Sequence, residues 1–350
     1  MTRRLAFAAA IVAAPLAASA YDERGPSPDM VAWETFTQAV APADAPGVKQ
    51  LEFETWASDD DLYLASPPRW PTWDQPARGE CKRTFDRDAA RAAGFPDDGC
   101  IEEEVRRNWA AFRYFASHGL TSKAGFARAF EQGLAIDPPA DSVQVKADWV
   151  RIGDLARWVN LDEDDLRRVY YTHVEHDGDA ETEYALVALH LNSKRWTNWL
   201  WATFEHRLNP GRCDEIGCHD AFGAAIADVV GREPANQDYG ACQKTPSLIA
   251  MFANVGLDPV WLNYCLKGSQ VSFTEKDGRP KRLGNSVIDR INGHIPLAHS
   301  SCMACHALAS FDRSGAANTA IADNPIGDVD KARLQGFVTN GFVWGVARAR

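Results

Sequence analysis

Residues 142–150, "SVQVKADWV", place apolar side chains at every second position: Val143, Val145, Ala147 and Trp149. Alternation with a period of two is typical of a strand that buries one face. Three later stretches also predict strands: "RRVYYTHVEHD" (167–177), "ETEYALVALHLNSK" (181–194) and "WTNWLWATFEH" (196–206). The turn-forming residues "DGDAE" separate the first two of these, so they are expected to pair in opposite directions. The sequence therefore predicts a mostly antiparallel sheet over about residues 142–206.

Helical periodicity is found on both sides of this sheet. Three helices are predicted before it: residues 27–40 with Ser27 as the N-cap, residues 101–120, and residues 121–135 with Thr121 as the N-cap. After the sheet, residues 245–266 return to helical spacing. The predicted fold class is α+β, with a mostly antiparallel sheet flanked by helices and a cysteine-bearing C-terminal segment.

Residues 1–20, "MTRRLAFAAAIVAAPLAASA", have the three parts of a secretory signal peptide: two arginines, an apolar run and a small-residue cleavage site. Cleavage after Ala20 is expected to release the protein into the periplasm. No later stretch is long and apolar enough to predict a membrane span. The expected organisation is a signal peptide at 1–20, a helical and irregular region at 21–140, and a sheet-containing region at 141–350 that ends with the cysteine-bearing segment.

The formal net charge of −11 argues against nucleic-acid binding, because an interface with phosphates needs a basic surface. An acidic surface permits a basic protein partner, although it also serves solubility alone.

The chain has eight cysteines, and export would place them in an oxidising compartment where disulfides form. With Cys302 and Cys305 set aside, six cysteines remain, for which 15 pairings are possible. Proximity in sequence favours three of them: Cys81–Cys100, Cys213–Cys218 and Cys242–Cys265.

The segment "HSSCMACHALASFD" (299–312) contains the pattern C-x-x-C-H at Cys302, Cys305 and His306. This pattern is the attachment signature of c-type haem. Two cysteines about one helical turn apart can form thioethers to the two vinyl groups of one porphyrin, and the adjacent histidine then becomes the proximal iron ligand. We therefore predict one covalently attached haem c, with His306 as the metal ligand. The C-terminal segment of the region 141–350 is accordingly the expected c-type haem-attachment segment.

Three other interpretations of the two cysteines are weighed against haem attachment. A zinc site would need two further ligands, usually a second closely spaced pair. A thioredoxin-like redox pair would be expected within a βαβ pattern, which the flanking sequence lacks. A structural disulfide would not require the histidine.

The sixth iron ligand has to come from upstream or be absent, because the residues after His306 include neither Met nor His. The candidates are His190, His206, Met251, His294, His299 or none. His190 is predicted to share a strand face with Tyr184, Leu186 and Ala188, where a core histidine is the alternative. Core packing is likewise the alternative for Met251.

Glu205 and His206 are the predicted catalytic residues. A histidine beside a carboxylate can act as a general acid or base, or as a distal haem ligand. The alternative is a histidine whose hydrogen bonds are satisfied within the sheet.

Several segments together resemble a family of exported bacterial mono-haem cytochrome c proteins: "VKADW" (145–149), "ALHLNSK" (188–194), "WLWATFEHRLN" (199–209), "SSCMACH" (300–306) and "GFVWG" (341–345). The likeness spans about residues 142–350. It implies covalent haem on Cys302, Cys305 and His306. It also suggests that the segments around Lys146 and Glu205 form a shared structural or active region. Where relatives have "HIVHKT", this chain has "HLNSKR", so a second histidine is absent.

Two functions are therefore carried forward. The first is a periplasmic mono-haem cytochrome c that carries electrons to or from another redox protein. The second is a haem-dependent oxidase or peroxidase with an open distal iron site that acts on a small molecule, because far more chain precedes the motif than electron transfer requires. A haem-based sensor is a third, weaker hypothesis.

Overall fold

The computed structural model describes residues 26–43, 50–71, 85–177, 180–212, 244–319 and 325–350. Its strands are β1 (Ala57–Ser58), β2 (Ile101–Arg107), β3 (Val143–Arg151), β4 (Thr172–Asp177), β5 (Ala180–Ser193), β6 (Leu200–His206), β7 (Tyr264–Gln270), β8 (Ser310–Phe311) and β9 (Val338–Thr339). Its α-helices are α1 (Pro28–Ala39), α2 (Arg87–Ala92), α3 (Trp109–Ser117), α4 (Lys123–Glu131), α5 (Ile152–Val159), α6 (Glu163–Val169), α7 (Pro246–Asn254) and α8 (Cys302–His306).

One antiparallel sheet organises the molecule, with strand order β1-β2-β3-β5-β6-β7 and with β4 paired to β5. The predicted α+β class is confirmed, as is the predicted antiparallel sheet within residues 142–206, which comprises β3 to β6. The predicted strand 167–177 is wrong at its start, because residues 167–169 end helix α6 and β4 begins at Thr172. Strands β1, β2 and β7 extend the sheet on both sides of that range. The sheet therefore contains strands from both of the regions expected from the sequence, 21–140 and 141–350.

The predicted helix at residues 101–120 is wrong in its first half. Ile101–Arg107 forms β2, which pairs with β3 along its whole length, and α3 begins only after Asn108, whose side chain accepts a hydrogen bond from the Ala111 amide. The acidic residues of β2 act within the sheet: Glu102 accepts a hydrogen bond from the Tyr184 hydroxyl, and Glu104 accepts one from the Trp149 indole. Pairing with β3 therefore outweighs the helical pattern of the local sequence.

Two smaller details of the predicted helices also differ from the structure. Helix α4 is capped by Ser122 rather than Thr121, because the Ser122 hydroxyl accepts the hydrogen bond from the Gly125 amide. In residues 245–266, helix α7 ends at Asn254 and the chain then forms β7. Helix α1 begins as predicted, with Ser27 capping the Met30 amide.

The two faces of the sheet carry different residues. Apolar side chains of β3, β5, β6 and β7 cover one face, where α1 and α7 pack against them. Phe36 and Trp33 of α1 contact Phe204 of β6, with ring centroids 4.3 Å and 4.9 Å apart. We call this the apolar face; the opposite face carries an apolar cluster at one end and polar side chains in the middle.

A β-bulge in β5 decides which face His190 occupies. On β3, Asp148 pairs with Ala188 and Trp149 with Leu186, so Val187 is an extra residue. An extra residue in one strand reverses the alternation of side chains beyond it. Leu186 and Leu189 consequently both lie in the apolar face. The prediction that His190 shares a face with Tyr184 and Leu186 is therefore wrong: His190 lies on the opposite, polar face.

The described cysteines fall into two classes. Cys302 and Cys305 are free, whereas Cys100 and Cys265 are disulfide-bonded. The predicted partners of the last two, Cys81 and Cys242, lie outside the described residues. So does the predicted pair Cys213–Cys218.

Within the described ranges, no helix has both the length and the apolarity needed to cross a bilayer.

Because α1 packs on the apolar face, shortening one of its buried side chains is expected to reduce the stability of the fold strongly. Replacing the fully buried Phe36 by Ala should lower the free energy of unfolding by about 3–5 kcal/mol, because it leaves a cavity beside Phe204. Val255→Ala, at a residue that is 39% exposed, should change it by less than about 0.5 kcal/mol. Urea unfolding of both variants measures the difference, and similar values for the two would contradict the assigned role of α1.

Candidate cofactor site

The C-x-x-C-H motif forms the short helix α8. The Ser301 hydroxyl caps this helix by accepting a hydrogen bond from the Ala304 amide, and it also receives one from Gln270 on β7. Helical spacing places residues three apart on neighbouring positions of one surface. Cys302, Cys305 and His306 accordingly line the same cavity.

His306 is held in one orientation by the main chain. Its Nδ1 lies 2.8 Å from the Phe342 carbonyl oxygen, and because a carbonyl can only accept, Nδ1 carries the proton. The ring also lies against Trp201, with centroids 4.4 Å apart. Burial lowers the pKa of His306 to about 4, so the imidazole is neutral at physiological pH. A neutral imidazole fixed through Nδ1 offers Nε2 as a metal ligand.

Both thiols of the motif are protonated at neutral pH. Burial raises the pKa of Cys305 to about 11, and burial also raises the pKa of Cys302 well above its usual range. Thiols of redox-active or nucleophilic cysteines have lowered pKa values instead. The environment of the pair therefore does not favour a thioredoxin-like redox function, one of the alternatives considered from sequence.

The cavity has a volume of about 360 Å³, within the range of ligand-binding pockets. On one side lie α8, the π-helical turn Ser286–Asn292 and the 3₁₀ turn Trp344–Arg348. On the other lies the polar face of the sheet. The side chains that it contributes include those of Glu103, Arg107, Gln144, Lys146, His190, Asn192 and Trp201.

Two polar pairs line the cavity: one lies within the polar face of the sheet, and the other joins that face to the turn Ser286–Asn292. Lys146 Nζ lies 2.6 Å from Glu103 Oε2, and His190 Nε2 lies 3.1 Å from Asp289 Oδ2. Burial alone would raise the pKa of Asp289, but the charge and hydrogen bond of His190 hold it below its usual range. Burial alone would lower the pKa of Lys146, yet Glu103 raises it on balance. The wall therefore keeps both proton donors and acceptors beside the thiols.

Ligand atoms of His190, Asp289 and Cys302 lie within 4.8 Å of one another, a spacing compatible with a metal ion. A metal ion there would bind Cys302 as the thiolate, because a coordinated thiol loses its proton.

The donor set also contains the groups that c-type haem requires. It supplies two reduced thiols for thioethers and one neutral imidazole, whose Nε2 makes no hydrogen bond within the described part of the chain.

Glu205 and His206, the predicted catalytic residues, lie away from this cavity. His206 stacks on Tyr170, its Nε2 lies 3.0 Å from the Val169 carbonyl oxygen, and its Nδ1 accepts a hydrogen bond from the Leu208 amide. Glu205 accepts hydrogen bonds from the hydroxyl and amide of Ser286. These contacts give both residues a role in holding the fold.

Among the expected sixth ligands, His190 lines the cavity. Met251 packs against the apolar face, on the far side of the sheet, and His206, His294 and His299 do not contribute to the cavity lining. The structure thus brings together Cys302, Cys305, His306 and His190.

Four residues that line the cavity are not predicted from the sequence: Glu103, Arg107 and Gln144 on the polar face of the sheet, and Asp289 on the turn Ser286–Asn292. Glu103 and Arg107 were assigned to a helix, and Asp289 belongs to a turn that no periodicity marks. One usable signal was present: Lys146, Asp148 and Gln144 occupy the polar positions of the alternating strand β3.

Comparisons with protein-family models, with curated proteins and with solved structures found no match.

Burial of His206 predicts a pH effect on stability. Burial lowers the pKa of His206 well below 6.5, so below about pH 6.5 the unfolded chain binds a proton that the folded protein excludes. Stability should therefore fall as the pH drops, by about 1.4 kcal/mol per pH unit for this group.

The variant His206→Gln removes this contribution, so its free energy of unfolding should depend less on pH between 6.5 and 5 than that of the wild type. His176→Gln serves as the control, because the His176 side chain is 66% exposed. Urea unfolding at several pH values gives the slopes. If the free energy of unfolding of His206→Gln depends on pH as steeply as that of the wild type, His206 takes up its proton at a similar pH in the folded and unfolded states. That result would contradict the prediction.

Proposed function

We propose that the protein is an exported, mono-haem c-type cytochrome that carries electrons to or from another redox protein in the periplasm. Cys302 and Cys305 would hold the haem through thioethers, and His306 would be its proximal ligand. The observation that carries the proposal is the anchoring of His306 Nδ1 to the Phe342 carbonyl, beside two free thiols on the wall of one cavity. When bound, haem supplies a one-electron couple between ferrous and ferric iron.

The residues of the chain would tune and protect this couple. The Phe342 carbonyl orients the His306 ring, and the Trp201 side chain packs against that ring. On the polar face of the sheet, across the cavity from α8, lie the Lys146 ammonium and the His190 imidazole. Lys146 pairs with Glu103, and His190 pairs with Asp289. Burial and nearby charge are among the means by which a protein sets a haem reduction potential.

A redox partner would approach the haem at helix α8. Cys305 and His306 are only partly buried, whereas Cys302 is buried. The net charge of −11 favours a partner with a basic surface. The resemblance to exported mono-haem cytochrome c proteins is in keeping with this proposal.

A second candidate function is a haem-dependent oxidase or peroxidase. The observation that favours it is the pair His190–Asp289, which lines the cavity and resembles a histidine oriented by a carboxylate for acid–base work. In that function His190 would hold or move a proton at a small molecule in the cavity, and Asp289 would fix the orientation of its ring.

Carbon monoxide distinguishes the two functions. For the electron carrier, the optical spectrum of the haem-loaded protein should be six-coordinate and low-spin and should not change with carbon monoxide. His190→Ala should then bind carbon monoxide, since His190 is the expected sixth ligand that lines the cavity. The control is His299→Ala, at a histidine away from the cavity lining, which should keep the wild-type spectrum.

A wild-type spectrum that shifts with carbon monoxide would contradict the electron carrier and support the enzyme. In that case peroxide turnover should fall by about 10²–10⁴-fold in His190→Ala and stay unchanged in His299→Ala.

A further inference from the structure

Two buried hydrogen-bond donors on the polar face of the sheet have no acceptor among the described residues. Arg107 Nε and Gln144 Nε2 make no hydrogen bond to any part of the chain that the structure describes. The two residues are 2% and 6% exposed, respectively, and both line the cavity. A buried donor left without a partner costs about 1–3 kcal/mol. Two of them in one wall indicate that a bound group completes their hydrogen bonding.

The two donors are neighbours. Arg107 on β2 pairs directly with Gln144 on β3, so their side chains leave the same face of the sheet next to each other. A single acceptor group with two oxygen atoms can therefore reach both. A planar carboxylate has this arrangement, and guanidinium groups bind it in a fixed geometry.

The charges around this pair favour an anion. Arg107 NH1 lies 2.6 Å from Asp59 Oδ1, and Arg348 Nε lies 3.7 Å from Asp59 Oδ2, so two guanidinium groups share one partly buried carboxylate. Arg348 also lies 3.6 Å from Asp60, but that side chain is 68% exposed and screened by water. Glu103 on the same wall is already neutralised by Lys146.

We propose that Arg107 and Gln144, with Arg348 at the rim, form a carboxylate-binding subsite in the cavity. The carboxylate has two possible sources. It is either a propionate of the attached haem, in which case the inference rests on the proposed function, or it belongs to a small free carboxylic acid that enters the cavity.

Calorimetric titration with acetate tests the second source. Acetate should bind the wild type, and its affinity should fall at least tenfold in Gln144→Leu and in Arg107→Leu. Arg106→Leu is the matched control, because Arg106 is the neighbouring residue on β2, is 8% exposed and points to the opposite face of the sheet, where it pairs with Glu104. Gln144→Leu leaves the Arg107–Asp59 pair intact, so it remains informative if Arg107→Leu does not fold.

The pH dependence of the reduction potential tests the first source. A propionate that occupies the subsite keeps acetate out, and its ionisation makes the potential depend on pH. Loss of a donor raises the pKa of the carboxylate. The pH at which the reduction potential changes should therefore rise by at least one unit in Gln144→Leu, which is a tenfold increase in the proton affinity of the carboxylate. In Arg106→Leu it should stay at the wild-type value.

The proposal is overturned if acetate does not bind the wild type and the pH profile of Gln144→Leu matches that of Arg106→Leu. Haem absorbance of the same samples separates this failure from that of the proposed function. If the purified chain carries no haem, the acetate titration alone decides, and lack of acetate binding overturns the subsite.

Discussion

The extra residue Val187 in β5 is the constraint on which the arrangement of the site depends. Because side chains alternate strictly along a strand, one inserted residue exchanges the two faces beyond it. Leu189 and Leu191 thereby join the apolar face that packs on α1. His190 turns to the other face, beside Lys146 on β3. One irregularity thus keeps the core continuous and at the same time places polar side chains opposite the C-x-x-C-H helix.

The wall that faces the sheet is held by buried polar contacts. Gln270 of β7 binds Ser301, the cap of α8, and Glu205 of β6 binds Ser286, where the turn carrying Asp289 begins. Asn285 donates a hydrogen bond to Thr203 while its own side chain caps the same turn. Buried groups with satisfied hydrogen bonds fix a unique geometry. Strands β6 and β7 therefore position both the thiols and the carboxylate that faces them, and Glu205 serves the site through this support.

The sequence predicted those features that have a local signal. The alternation in β3, the cap at Ser27 and the spacing of Cys302 and Cys305 are each contained in a few consecutive residues. The bulge has no such signal, because residues 185–189 are apolar at every position and fit either face. The strand Ile101–Arg107 was missed because its pairing with β3 is a long-range contact. Asp289 and Arg107 approach the motif only through that tertiary arrangement, so spacing alone could not select them.

Mass spectrometry of the exported protein, purified from cells competent for cytochrome c maturation, tests the central claim most directly. The intact mass should exceed that of the polypeptide by one haem, and the excess should reside on the peptide that contains Cys302 and Cys305. A protein without added mass, or with the two cysteines joined to each other, would contradict the account.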